Sequence, residues 1–161
     1  MNYADIKKVD VANGPGVRVS LFVSGCTHAC KGCFNSIAWD FNYGKKFTKK
    51  EEKQILELLR PDHISGFSVL GGEPLQQDDT LLHFLEKVKK TYPQKTIWLY
   101  TGYCYEDVKD REIMKYIDVL VDGKFVEEKK QLNLAFRGSS NQRVIDVKQT
   151  IQSGKICQLY I

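Results

Sequence analysis

The chain has 161 residues, 42% of them hydrophobic, enough for one core and too few for a second independent domain. Its 24 Lys and Arg exceed its 20 Asp and Glu by a formal charge of +4. The lysines fall in scattered pairs (Lys7-Lys8, Lys45-Lys46, Lys49-Lys50), the pattern of a solvated surface and not of a nucleic-acid stripe. No apolar run reaches the ~20 residues of a membrane span, and the opening residues lack the apolar stretch of a secretory signal, so a cytoplasmic protein is expected.

Residues 17–23 alternate and are rich in β-branched and aromatic types, which predicts a strand ending just before Ser24-Gly25-Cys26. Thr48, with Glu51 three residues later, has the form of a capping box; Ile55, Leu58 and Leu59 then line one helical face until Pro61. Residues 66–70 predict an apolar strand running into Gly71-Gly72-Glu73-Pro74, and residues 79–90 a helix with Leu81, Phe84, Leu85 and Val88 inward. A strand at 96–100 is broken by Thr101-Gly102. A weaker helix at 105–116 precedes a short strand at 118–121, and residues 144–147 are a further strand candidate. Residues 124–142 are the least regular stretch and predict a long functional loop. The repeated strand, loop, helix order implies parallel strands with right-handed crossovers. With four or five strands, the expected fold is a single α/β domain over residues 1–161, built as a partial (incomplete) parallel β/α barrel. In such folds the strand carboxyl ends share one face, where ligands bind. Ser-Gly-Cys, Gly-Gly-Glu-Pro and Thr-Gly-Tyr therefore belong to one site.

Five cysteines are an odd number, and three of them lie within eight residues as Cys26-x3-Cys30-x2-Cys33. That arrangement suits metal better than a disulfide framework. Structural zinc sites and ordinary four-iron clusters both want four protein ligands. Only three are supplied locally, which leaves one iron of a cluster open to an exogenous group. The alternative is zinc, completed by His28, Cys104 or Cys157, as the core of a zinc-stabilised binding module.

The cysteine motif resembles that of the radical S-adenosylmethionine superfamily. From Ser24 through Cys33-Phe34-Asn35, with Trp39 soon after, the sequence is similar to activating proteins of the anaerobic (class III) ribonucleoside-triphosphate reductases. The similarity extends through Gly71-Gly72-Glu73-Pro74, Thr101-Gly102-Tyr103, Val121-Asp122-Gly123 and Arg137-Gly138-Ser139-Ser140-Asn141-Gln142-Arg143. It implies a [4Fe-4S] cluster on Cys26, Cys30 and Cys33, with S-adenosyl-L-methionine at the open iron. It also implies reductive cleavage to methionine and a 5′-deoxyadenosyl radical, and a glycyl radical left on the large subunit of the reductase. A low-potential electron donor is required, and neither nucleic acid nor membrane is an expected partner. An activase of another glycyl radical enzyme, such as pyruvate formate-lyase, and a small-molecule enzyme such as a carboxy-deazaguanine synthase are the nearest alternatives.

Within that resemblance, Gly71 and Gly72 allow close backbone approach and Glu73 offers an anionic acceptor for the cofactor's amino group. Thr101 and Asp122, at predicted strand ends, are candidates for its carboxylate or ribose, though each also suits a turn or cap. Gly32 stands where an aromatic is common, so cover of the adenine falls to Phe34 or elsewhere. Arg137 and Arg143 bring guanidinium forks for cofactor or reductase. His28 is expected to face solvent or to support the ligands from behind, Cys104 and Cys157 to be ordinary thiols, and Trp39 and Phe41 to cover the cluster or pack in the core.

Overall fold

The computed structural model describes residues 1–33 and 36–160. Its strands are β1 (Asn2–Asp10), β2 (Val17–Val23), β3 (Lys45–Lys46), β4 (Ile64–Gly71), β5 (Thr96–Tyr100), β6 (Val119–Asp122) and β7 (Arg143–Asp146). Four α-helices accompany them: α1 (Lys49–Leu58), α2 (Asp79–Thr91), α3 (Tyr105–Val108) and α4 (Val147–Ser153). The seven strands form one sheet in the order β3-β1-β2-β4-β5-β6-β7. Its centre, β2-β4-β5-β6, is parallel. Both flanks are antiparallel, β1 on β2 and β7 on β6. The sheet is therefore mixed and seven-stranded, a correction to the expected four or five parallel strands.

Alternation along the strands sorts the two faces. Val19, Leu21, Phe67, Val69, Ile97 and Leu99 point to one side, where Ile55 of α1 and Leu81, Phe84, Leu85 and Val88 of α2 meet them in the main core. Each such side chain contributes about 1.5–3 kcal/mol by leaving water. The expected box holds α1: the Thr48 amide donates to Glu51 Oε1 at 2.8 Å, and the Lys50 amide to Thr48 Oγ1 at 3.3 Å. The opposite face carries Arg18, Ser20, Ser68, Thr96, Trp98, Tyr100 and Val121. There a smaller cluster of Trp98, Val119, Val121 and Val144 takes Tyr100 and Phe136 against it.

That second face is covered by loops. Arg18 is fully buried and donates to Ser68 Oγ (2.8 Å), Thr96 O (2.8 Å) and Thr96 Oγ1 (3.0 Å), and also to the carbonyls of Phe67 (3.2 Å) and Pro15 (3.3 Å). The Asp10 carboxylate accepts from Ala12 N (2.9 Å), Asn13 Nδ2 (2.7 Å) and Ser20 Oγ (2.6 Å). These bonds fold the segment between β1 and β2 over the sheet.

Other departures have local causes. In β1 only Tyr3 and Asp10 are buried, because a strand this near the sheet margin shows most side chains to water, and its pattern of charges does not alternate. The stretch 105–116 is broken into α3 and a 3-10 turn at Glu112–Tyr116. The last strand ends at Asp146, whose carboxylate caps the unforeseen helix α4 by accepting from Gln149 N at 3.0 Å. The loop 124–142 holds a 3-10 turn at Glu127–Lys129 and an isolated bridge from Lys130 to Ser139. At the margins, β3 contributes two lysines, while Cys157 O and Leu159 N bond Asp146 N (2.8 Å) and Val144 O (2.7 Å) of β7. Among the described residues no helix is long and apolar enough to cross a membrane.

Candidate functional site

The carboxyl ends of β2, β4 and β5 lie side by side, as parallel pairing requires, and a cavity of about 400 Å³ opens on them. That volume is within the ~300–1,000 Å³ of small-molecule sites. Cys26, Cys30, Cys33, Gly71, Gly72, Glu73 and Thr101 all line it. One cavity thus gathers residues from three separate motifs.

The cysteine loop hangs from its surroundings by backbone bonds: Gly25 N to Ala38 O (2.7 Å), Cys26 N to Trp39 O (3.0 Å) and Cys33 N to Cys30 O (3.1 Å). Burial pushes the Cys26 and Cys30 thiols above their ordinary values, so a positive iron centre is the natural means of holding them as thiolates. Among the described residues no three His, Cys, Asp or Glu side chains converge on one ion. A four-iron cluster makes no such demand, because each thiolate binds a different iron. The three cysteines on one cavity wall fit that group.

The other expected contacts are redistributed. Glu73 is 1% exposed and its carboxylate is fully engaged. Oε1 faces His28 Nε2 (2.7 Å) and Gly102 N (2.6 Å), while Oε2 accepts from the Thr101 hydroxyl (2.8 Å) and Leu75 N (2.9 Å). It ties together the cavity floor, and the Thr101 hydroxyl, which also accepts from Tyr103 N (3.1 Å), belongs to the same network. Gly72 lies so near β2 that a Cβ would stand 2.5 Å from Gly25 O, so its missing side chain serves the approach of two strand ends.

Asp122 does not line the cavity. It is 1% exposed, and Arg143 donates to it from Nε (3.0 Å) and Nη2 (2.5 Å) while Tyr105 N donates at 2.8 Å. Asp122 is held as an internal anchor, with its carboxylate engaged by Arg143 and Tyr105. Those contacts hold the Arg143 pKa above its ordinary value, which leaves Arg137 as the guanidinium of that motif on the cavity wall. Arg137 Nη1 donates to Gln142 O at 3.2 Å, and its Nε is buried with no partner among the described residues.

His28 does not face solvent; its side chain is 7% exposed. Trp39 lines the cavity with a buried Nε1 that has no partner among the described residues, and Phe41 is 41% exposed with its ring against Gly25. Phe34 lies outside the described residues. The sequence reading missed Tyr100, Phe22 and Lys7 in the cavity wall. Strand alternation carries the signal for Tyr100, two residues beyond Trp98 on the same face.

The model of a 4Fe-4S single cluster domain matches residues 12–145, the stretch that contains every cavity cysteine. The chain is 46% identical over 148 residues to the anaerobic ribonucleoside-triphosphate reductase-activating protein of Haemophilus influenzae, covering 88% of this chain and 96% of that protein. The chain belongs to this family of activating proteins. Family members from Enterobacteria phage T4 (42% identical; 89% of this chain, 93% of the relative) and Escherichia coli (43%; 89% and 97%) extend the similarity over the same span. Membership in a four-iron-cluster family leaves the zinc-stabilised module without support.

Proposed function

We propose that this protein activates an anaerobic ribonucleoside-triphosphate reductase, holding a [4Fe-4S] cluster on Cys26, Cys30 and Cys33 with S-adenosyl-L-methionine at the fourth iron. The observation that carries the reading is the single cavity joining those cysteines to Gly71, Gly72 and Glu73. Cys26, Cys30 and Cys33 would hold the cluster, which with S-adenosyl-L-methionine would supply one-electron reductive cleavage of the sulfonium and, through it, hydrogen abstraction from a glycine Cα of the reductase.

The chain's own residues bind, orient and exclude water. The Gly71-Gly72 backbone forms the wall against the methionine portion. Glu73 and Thr101 keep that wall in place through their mutual hydrogen bond. Arg137 Nε, without a partner among the described residues, is available to an anionic group in the cavity. Trp39 and Phe136 limit water access from the sides. On this reading the sheet curves as a partial barrel. Its second face, roofed by loops, admits the glycine-bearing segment of the large subunit. The electron comes from a low-potential donor in the cytoplasm.

Anaerobic reconstitution with iron and sulfide, followed by low-temperature electron paramagnetic resonance and measurement of reductant-dependent 5′-deoxyadenosine, tests the reading. Replacing any one of the three cysteines by Ala should abolish cleavage. Adding the anaerobic reductase should produce a glycyl-radical doublet. A protein that takes up no iron, or that cleaves the cofactor but radicalises only another enzyme such as pyruvate formate-lyase, would refute it.

A further inference from the structure

His28 stands between Cys26 and Cys30, and its imidazole is turned inward. The Nε2 atom lies 2.7 Å from Glu73 Oε1. Three backbone or hydroxyl donors already point at the same carboxylate, so the carboxylate is the acceptor and His28 donates from Nε2. Of the four donors, only His28 comes from the cysteine loop. The ring packs edge-on against Tyr103 at 4.7 Å between centroids, and Gly102 offers it room that a side chain would fill. A second tie runs parallel to the first: Thr27 N donates to Gln76 Oε1 (2.9 Å), and Gln76 Nε2 donates to Thr27 Oγ1 (2.7 Å) and Tyr103 OH (3.0 Å).

We propose that His28 is a positioning residue that locks the cysteine loop onto the ends of β4 and β5 through Glu73, setting where the cluster stands relative to the Gly71-Gly72 wall. The proposal rests on the functional reading above for what occupies the cavity. Its physical basis is independent of that occupant. Between Cys26 and Cys33 the chain has no regular secondary structure, so its thiols are only as fixed as the bonds that hold the loop down. The His28 and Glu73 side chains are 7% and 1% exposed, so water competes little for either partner. Groups that support ligands in this way typically change metal affinity or activity by about 10–100-fold when removed. A displacement of ~1 Å between bound groups can cost ~100-fold in rate.

Three variants separate positioning from mere folding. His28→Leu removes the donor, and His28→Gln keeps an amide donor. Gly102→Ala retains every polar group but places a Cβ 2.7 Å from the His28 ring, which must move. In the reconstituted full-length protein, His28→Leu and Gly102→Ala should release iron to a chelator about tenfold faster and raise KM for S-adenosylmethionine about tenfold. His28→Gln should recover most of both losses, and kcat should fall less than KM rises. His28→Leu with iron release and KM within twofold of wild type would overturn the proposal. So would losses that merely track a lowered thermal midpoint and are not rescued by His28→Gln. If the wild type takes up iron but cleaves no cofactor, the functional reading fails, while the iron-release comparison still decides the role of His28.

Discussion

Asp122→Asn separates an anchor from a cofactor ligand. The wild-type carboxylate takes three donors, Arg143 Nε, Arg143 Nη2 and Tyr105 N, while 1% exposed. An asparagine of the same shape has one acceptor oxygen, and its amide NH2 must face the guanidinium or the Tyr105 N–H. Breaking a buried ion pair from one side costs about 3–5 kcal/mol. The low end applies because Arg143 is 25% exposed and keeps Glu106 at 2.6 Å. A loss of about 3 kcal/mol in a domain of this size lowers the melting temperature by roughly 6–12 °C. Calorimetry of the apo protein and cofactor titration of the reconstituted protein supply the two readouts. The expected outcome is a lowered melting temperature with affinity for S-adenosylmethionine within about twofold of wild type, since a change of 1.4 kcal/mol is needed for tenfold. A variant that melts like the wild type but loses cofactor binding would return Asp122 to the cavity and refute the reasoning.

Phe84→Ala should cost about 3–5 kcal/mol, because Phe84 is fully buried against Phe47 and Phe67 at 5.4 and 5.7 Å; a urea denaturation midpoint close to wild type would contradict the core assignment. Burial alone would raise the Asp10 pKa, but the hydrogen bonds from Ser20, Asn13 and Ala12 outweigh it and hold the group below its ordinary value. Its contribution to stability is therefore complete above the unfolded pKa of about 3.9 and is lost as pH falls through the lower folded value. Urea midpoints measured from pH 5 downward should fall less steeply in Asp10→Asn, and an unchanged slope would count against this account. Gly72→Ala places a Cβ 2.5 Å from Gly25 O; the strand ends should part, and iron retained after reconstitution should drop well below wild type.

The sequence makes the middle of the sheet legible. Strands β2, β4 and β5 combine alternation or an apolar run with a turn signal at the end, and α1 announces itself by Thr48 and Glu51. Strand β1 is hidden because a marginal strand with a solvated face has no buried period to display, and α4 because its cap, Asp146, is also the last residue of a strand. Cys26, Cys30, Cys33, Gly71 and Gly72 could be grouped from strand-end logic alone, and the structure brings them to one cavity. The behaviour of carboxylates could not be read this way. Glu73 and Asp122 both stand at strand ends, but which donors surround them depends on partners such as His28 and Arg143, 45 and 21 residues away. Spacing identifies a charged group without saying whether the protein itself has already satisfied it.

The two lysines of β3 and the chain that closes over β7 have a consequence for association. A protein can recruit a partner by adding that partner's strand to an exposed ladder of amides and carbonyls. Here one margin ends in a two-residue strand of like charges, which repels a further strand, and the other is occupied by Cys157 and Leu159. Main-chain pairing is thereby discouraged along β7 and at the start of β1, where β3 covers Asn2 and Tyr3, along with the edge-to-edge aggregation it would invite there. Under the proposed function, recognition of the reductase would then fall to side chains and loop shape around the mouth of the cavity.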